Sequence, residues 1–303
     1  MHPIKAPASP IVCRGDGLPV VFLHCTLSTK SQWLPLIEHW PEPIRAICVD
    51  LLGSGDAEWP APADRHTLSI EAGHVEDLLA PLLPPTAGCH VVAHSFGAAV
   101  ALKLAQRRRI PIRSLTLYEP TSFHLLHRDD IAVREVVQLV EAMQIALWRR
   151  QPDIALRRFF DYWNGAGAYA KVAAVRRQYM QSRLLKVMLD FTALLADPLQ
   201  PRHLAEITTP LCLIGGQRSR RAPHHIMAVL ASHAGADCRM HWVDATHMGP
   251  VSHPAKVANI AASFVGSVEQ RRSESEADTS ASFEATGCAT GSASAPTIET
   301  AET

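Results

Sequence analysis

The chain has 303 residues, 47% hydrophobic and 19% charged, the balance of a globular protein and not of a disordered segment or a membrane bundle. Lys and Arg together number 29, as do Asp and Glu, so the net charge of zero argues against nucleic acid or an anionic membrane as a general electrostatic partner. The 7 cysteines lack C-x-x-C or metal-ligand spacing and read as reduced thiols. No run approaches the ~18 apolar residues of a membrane span and no apolar leader follows Met1, so a cytoplasmic location is expected.

Short apolar runs at Pro19 to His24, Arg45 to Asp50, Cys89 to His94, Ser114 to Glu119, Leu211 to Gly215 and Arg239 to Val243 suit buried strands of a mainly parallel sheet. Helix-like segments lie between them, at Gln32 to His39, Ser69 to Leu83, Gly97 to Arg108 and His224 to Ala234. This alternation predicts an α/β architecture with a doubly wound sheet. After Pro120 it stops. Residues 120–209 show helical periodicity and no convincing strand, and read as an inserted helical cap between core segments 1–119 and 210–269. From 270 to 303 the composition turns to Ser, Ala, Thr, Glu and Gly, and a disordered tail is expected.

Chemistry concentrates in the run Cys89 to Ala105, an apolar strand, a turn with Ser95 at its centre, and an Ala-rich helix beginning at Gly97. This is the setting in which a G-x-S-x-G-type turn lifts a serine hydroxyl clear of a sheet; Ala93 replaces the first glycine at the cost of one methyl. Ser95 is the candidate nucleophile; a plain helix N-cap is the alternative. A serine hydroxyl needs a base. His247, in the loop after the last strand-like run, can reach over the C-terminal edge of the sheet, where ligands of open α/β sheets bind. His253, beside Pro254 where the next helix starts, reads as a local cap.

With these residues in order the chain resembles the α/β-hydrolase superfamily, in the branch of cofactor-free esterases, lipases and C–C hydrolases with a helical cap. The resemblance runs from about Pro19 to Val268. It rests on Phe22-Leu23-His24 followed by Trp33, on Asp50 to Gly55 (DLLGSG), on the Ser95 turn, and on His247 with Gly249 and Pro254. It implies an oxyanion hole formed by the backbone N–H groups of Thr26 and Phe96. Cys25 stands where the usual His-Gly pair has its glycine; it reads as a bystander more than as a reactive thiol.

The resemblance also implies a triad acid in the loop after the Leu211 strand. Ser219 occupies that place, with Arg218, Arg220 and Arg221 around it as candidates to attract an anionic substrate. Either the triad is incomplete or another carboxylate reaches the base. Some superfamily members place the acid one core strand earlier, where this chain has Glu119, and Glu119 is therefore the assigned acid. Asp244 lies too close in sequence to His247, and Asp50 and Asp56 read as structural.

The expectation is hydrolysis of a carboxylic ester or similar acyl bond in a small, apolar acyl substrate, with no cofactor and no metal. C–C, lactone and perhydrolytic chemistry stay open, as does a non-catalytic binding module that lost its acid.

Overall fold

The computed structural model describes residues 9–60, 65–84, 86–234 and 237–287. Among them are seven strands, β1 (Ile11–Arg14), β2 (Leu18–Leu23), β3 (Ile44–Val49), β4 (Cys89–His94), β5 (Ile112–Tyr118), β6 (Leu211–Gly216) and β7 (Cys238–Val243). They form one sheet in the order β1-β3-β2-β4-β5-β6-β7. Every pairing is parallel except that of β1 with β3. Each of the six runs read as strands from sequence is a strand. β1 was not foreseen: its apolar run is only Ile11-Val12-Cys13, too short to stand out, and its four residues are half-buried or exposed.

Strand side chains alternate faces, and the alternation sorts the core into two layers. Val21, Leu23, Val91, Ala93, Leu115 and Leu117 face one way. Val20, Phe22, Val92, Cys212 and Ile214 face the other. The first layer is covered by α2 (Leu68–Leu79), α3 (Phe96–Arg107) and α8 (Arg221–His233), the second by α1 (Leu34–Ile37) and α10 (Pro254–Gly287). Residues 30–37 are half 3-10 and half α-helix because Pro35 restarts the helix in its first turn. A short α9 (Gly249–Ser252) precedes α10.

Between β5 and β6 the chain forms α4 (Ile131–Trp148), α5 (Pro152–Asn164), α6 (Ala174–Ser182) and α7 (Leu184–Ala196), and no strand. Asp130 caps α4 by accepting the Ala132 N–H at 2.8 Å, and α5 opens on Pro152 and stops at Gly165.

The region from 270 onward departs from expectation. α10 continues unbroken past Gln270 to Gly287, where a disordered tail was anticipated. Its first part is anchored by Val257, Ala261, Phe264, Val265 and Val268 against the sheet. Beyond them residues 271–277 are exposed, with i,i+4 contacts between Gln270 and Glu274 (3.0 Å) and between Arg272 and Glu276 (3.5 Å). Alanines and glutamates of the tail are good helix formers, and an anchored helix needs no new nucleus to extend. The rest of the expected tail, 288–303, lies outside the described residues, as does Cys288; the other six cysteines are free thiols. Among the described residues no helix is long and apolar enough to cross a membrane.

The chain passes from β2 to β3 on one side and returns, through α2, to β4 on the other. The loops leaving β2 and β4 therefore diverge at the C-terminal edge of the sheet. Such a switch point is where open α/β sheets leave a crevice.

Candidate active site

Ser95 stands at that crevice, between β4 and α3, with φ 56° and ψ −117°. This backbone conformation is unfavourable for an L-residue by about 1–3 kcal/mol and survives because packing on both sides enforces it. The Ser95 N–H is tied to the Tyr118 carbonyl at 3.0 Å. A Cβ on Gly97 would fall 2.5 Å from the Leu23 oxygen and 2.6 Å from the His24 oxygen, so only glycine lets α3 sit this close to β2. The first glycine position of the motif, Ala93, is fully buried in the strand.

His247 Nε2 lies 2.9 Å from Ser95 Oγ, and Nδ1 lies 2.7 Å from Glu119 Oε2. A carboxylate only accepts, so Nδ1 carries the proton and Nε2 is left to accept from the serine hydroxyl. All three side chains are buried.

Glu119 follows β5 at φ 44°, a left-handed conformation that turns its side chain away from the strand direction and towards His247. Its N–H donates to the Ile214 carbonyl at 3.0 Å, which stitches the turn to β6. Its second oxygen, Oε1, accepts the Gly216 N–H at 2.6 Å. A Cβ at Gly216 would lie 2.9 Å from that oxygen and 2.7 Å from the Ala245 carbonyl. Gly216 thus makes the room in which Glu119 reaches the histidine.

The histidine loop is held through its backbone. Tyr118 Oη donates to the Thr246 carbonyl, and His94 Nε2 donates to the His247 carbonyl, both at 2.8 Å. Burial, reinforced by the adjacent His247, holds His94 well below the usual imidazole range, so it remains neutral with Nδ1 as acceptor. That nitrogen accepts from Gln32 Nε2 at 3.1 Å, and Gln32 Oε1 accepts the Cys25 N–H at 3.2 Å. Trp163 of α5 stacks on the His247 ring, with centroids 4.2 Å apart and planes 29° from parallel.

Thr26 lies in the turn Cys25-Thr26-Leu27-Ser28, closed by the Ser28 N–H on the Cys25 carbonyl at 3.2 Å. The left-handed residue of the turn is Leu27, at φ 59°, not Cys25. A glycine is therefore not needed directly after His24. His24 accepts the Leu51 N–H through Nε2 at 3.1 Å and donates from Nδ1 to the Cys25 carbonyl at 2.7 Å. Burial pushes the Cys25 thiol up to about 12, far from a reactive thiolate. Phe96 is the first residue of α3, and its N–H is among the four that an α-helix leaves without an intrahelical partner.

Ser95, His247 and Thr26 line a cavity of about 530 Å³. Its apolar wall comes largely from the segment between β5 and β6, with Phe123, Phe159, Trp163, Val187, Phe191 and Leu194. Phe191 packs on both Phe123 and Phe159, with ring centroids 6.3 and 6.0 Å apart.

The other residues singled out from sequence lie apart from this arrangement. Ser219 makes no contact with His247 among its hydrogen bonds, and its hydroxyl is buried without a partner. The expected role of the arginines as anion attractors is not met: Arg218 pairs with Asp244 at 3.1 Å, Arg221 lies 3.7 Å from Glu135, and Arg220 sits over the Tyr162 ring. None of the three lines the cavity. Asp50 accepts the N–H groups of Lys30 and Asp56, a structural role, and the His253 ring pairs with Ser252.

Sequence reasoning missed a second buried group beside the site. Glu71 of α2, Lys186 and Asp190 of α7, and His66 meet at the cavity wall, to which Asp190 contributes. Lys186 Nζ is 2.8 Å from Glu71 Oε1 and also pairs with Asp190. The side chains of His66, Glu71 and Asp190 are close enough together to hold a cation. Lys186 supplies that positive charge itself, bridging the two carboxylates, so the donor set does not call for a metal. The pairs could not be seen in sequence because Glu71 and Lys186 are 115 residues apart and meet only once α7 packs against the core.

A family model described as the alpha/beta hydrolase family matches residues 20–260. Lipase LipV of Mycobacterium tuberculosis is 29% identical over 265 residues, covering 82% of this chain and 93% of that protein. A hydrolase from Pseudomonas aeruginosa superposes with a TM-score of 0.67 at 20% identity, covering 84% of this chain and 94% of the other. An esterase from Exiguobacterium antarcticum superposes with a TM-score of 0.67 at 19% identity, covering 86% and 94%. Both structures share the fold. The mainly parallel sheet, the strained serine turn at its switch point and the matched span together place this chain in the alpha/beta hydrolase family.

Proposed function

We propose that the protein is a serine hydrolase that cleaves a carboxylic ester, or a similarly activated acyl bond, through an acyl-enzyme. The observation that carries this reading is the single imidazole, His247, spanning Ser95 Oγ at 2.9 Å and Glu119 Oε2 at 2.7 Å at the wall of an apolar cavity. Ser95 Oγ attacks the acyl carbon while His247 Nε2 takes its proton. Glu119 keeps the proton of Nδ1 in place and balances the imidazolium charge that develops. The N–H groups of Thr26 and Phe96 receive the negative charge that builds on the carbonyl oxygen. His247 then returns its proton to the leaving alcohol, draws one from water, and the second attack frees Ser95.

On this reading, residues 120–209 act as a cap over an apolar acyl chain. Trp163, stacked on His247, keeps bulk water off the ring, and its π face favours the imidazolium. A fluorophosphonate probe followed by intact mass tests the assignment. The expected result is one adduct on the wild-type protein and none on Ser95→Ala; equal labelling of both would remove Ser95 from the mechanism.

A further inference from the structure

The proposed oxyanion loop is short and its sequence lacks the usual glycine, so what holds Thr26 in place bears directly on turnover. Its backbone is fixed on one side by Gln32 and His24, through the Cys25 N–H and carbonyl. On the other side its hydroxyl donates to Asp190 Oδ2 at 2.8 Å, across 164 residues of sequence. Asp190 belongs to α7, in the helical segment between β5 and β6, and lines the same cavity as Thr26.

Asp190 is in turn immobilised. Its other oxygen pairs with Lys186 one helical turn earlier, and Lys186 reaches Glu71 of α2 at 2.8 Å. Glu71 Oε2 accepts the Leu52 N–H at 3.1 Å, which ties the cluster to the loop after β3. Burial pushes the Asp190 carboxyl up, but Lys186 and His66 outweigh it and hold it below the ordinary carboxylate range. All of these side chains are buried. A buried, doubly bridged carboxylate is a stiff support, since moving it would strand Lys186 without its partner.

We infer that Asp190 is a positioning residue for the oxyanion loop: its carboxylate, fixed by Lys186 and Glu71, holds the Thr26 hydroxyl and thereby sets where the Thr26 N–H points. The helical segment then takes part in catalysis as well as in roofing the acyl pocket, because the loop is held correctly only while Lys186 of α7 stays bridged to Glu71 of α2. The inference rests on the serine hydrolase reading above.

Thr26→Val removes the hydroxyl and leaves the Lys186–Glu71–Asp190 cluster intact, so it separates positioning from folding. With p-nitrophenyl esters the expected result is a fall in kcat of ~10–100-fold with KM within about two-fold, less than the ~10²–10³ seen when an oxyanion donor is deleted outright. Thr26→Ser keeps the hydroxyl and should restore kcat. Asp190→Asn is expected to lower kcat similarly in the wild-type background and to add little on top of Thr26→Val. Wild-type kcat in Thr26→Val, a loss that Thr26→Ser fails to restore, or fully additive effects of the two changes would each overturn the inference. Ser95→Ala, run alongside, tells the two readings apart. If it is inactive while Thr26→Val is normal, only the positioning role falls; if it retains activity, the serine mechanism itself falls.

Discussion

The turns that leave β5 and β6 are neighbours at the same edge of the sheet, yet they are built for opposite purposes. After β5, Glu119 is buried, held at a positive φ, and bound through one oxygen to His247 and through the other to the Gly216 N–H. After β6, Ser219 sits among exposed arginines that are engaged with Asp244, Glu135 and Tyr162. A carboxylate oriented towards an imidazole needs a defined backbone, a second hydrogen bond and exclusion of water. The β5 turn supplies all three. What the β6 strand contributes is Gly216, whose missing side chain opens the path from Glu119 to the histidine.

The comparison breaks first at Glu119. Glu119→Gln keeps the shape but offers His247 Nδ1 the wrong polarity, and turnover of a p-nitrophenyl ester is expected to drop by ~10⁴-fold, the order seen for loss of a triad acid. A loss under about ten-fold would show that another group performs this task. Gly216→Ala attacks the same pair from the β6 side. Its Cβ displaces Glu119 Oε1 or the Ala245 carbonyl, with an expected loss of about 10²-fold, measured as kcat at unchanged fold by circular dichroism. Near-normal kcat would mean that the turn yields easily.

A third experiment addresses the buried imidazoles around these turns. Burial holds His94, His124 and His24 below their ordinary range, and burial with Arg113 and Arg272 brings His90 down to about 3. In the unfolded chain each takes up a proton near pH 6.5, whereas in the fold each stays neutral. Below that pH the unfolded state therefore binds more protons. Their contribution to stability is complete above about pH 6.5 and is lost as pH falls towards the folded values, by at most ~1.4 kcal/mol per pH unit for each group. Urea unfolding at pH 7.0, 6.0 and 5.0 should follow this decline, with His90→Gln flattening part of it; a level profile would contradict it.

Smaller effects separate the anchors of the histidine loop from Ser219. Tyr118→Phe takes one of two donors from the Thr246 carbonyl, which keeps the Gly249 N–H at 3.0 Å, and should cost about 1 kcal/mol of stability together with a modest loss of kcat. Ser219→Ala removes only an unpartnered hydroxyl and is expected to stay within ~0.5 kcal/mol and near wild-type turnover. Should Ser219→Ala damage activity as much as Tyr118→Phe, the contrast between the two turns would be lost.

Much of the scaffold was legible along the chain. Apolar runs of the right length between turn residues located six strands, and the loss of alternation after Pro120 marked the helical segment, because burial on both faces of a parallel sheet leaves a local imprint. β1 left too little, its apolar run being three residues long and at most half-buried, and α10 overran its expected end because an anchored helix extends on propensity alone. At the site, Ser95 and His247 stood in local contexts that carry meaning by themselves. His94 stood beside Ser95 in the same motif, and nothing local indicated that its ring would hold the His247 carbonyl.

What the sequence by itself determined is the α/β alternation, the serine turn with Gly97 behind it, and the absence of a carboxylate at position 219. The resemblance pointed to Glu119; tertiary structure alone brings that carboxylate against His247, and decided where the left-handed residue of the Cys25-Thr26-Leu27-Ser28 turn falls and that Asp190 of α7 holds Thr26. The physical reason is the range of the forces. Turn geometry and strand burial are set by residues within a few positions, whereas hydrogen bonds such as Glu119–His247 and Thr26–Asp190 join groups more than a hundred residues apart, and only packing brings them into reach.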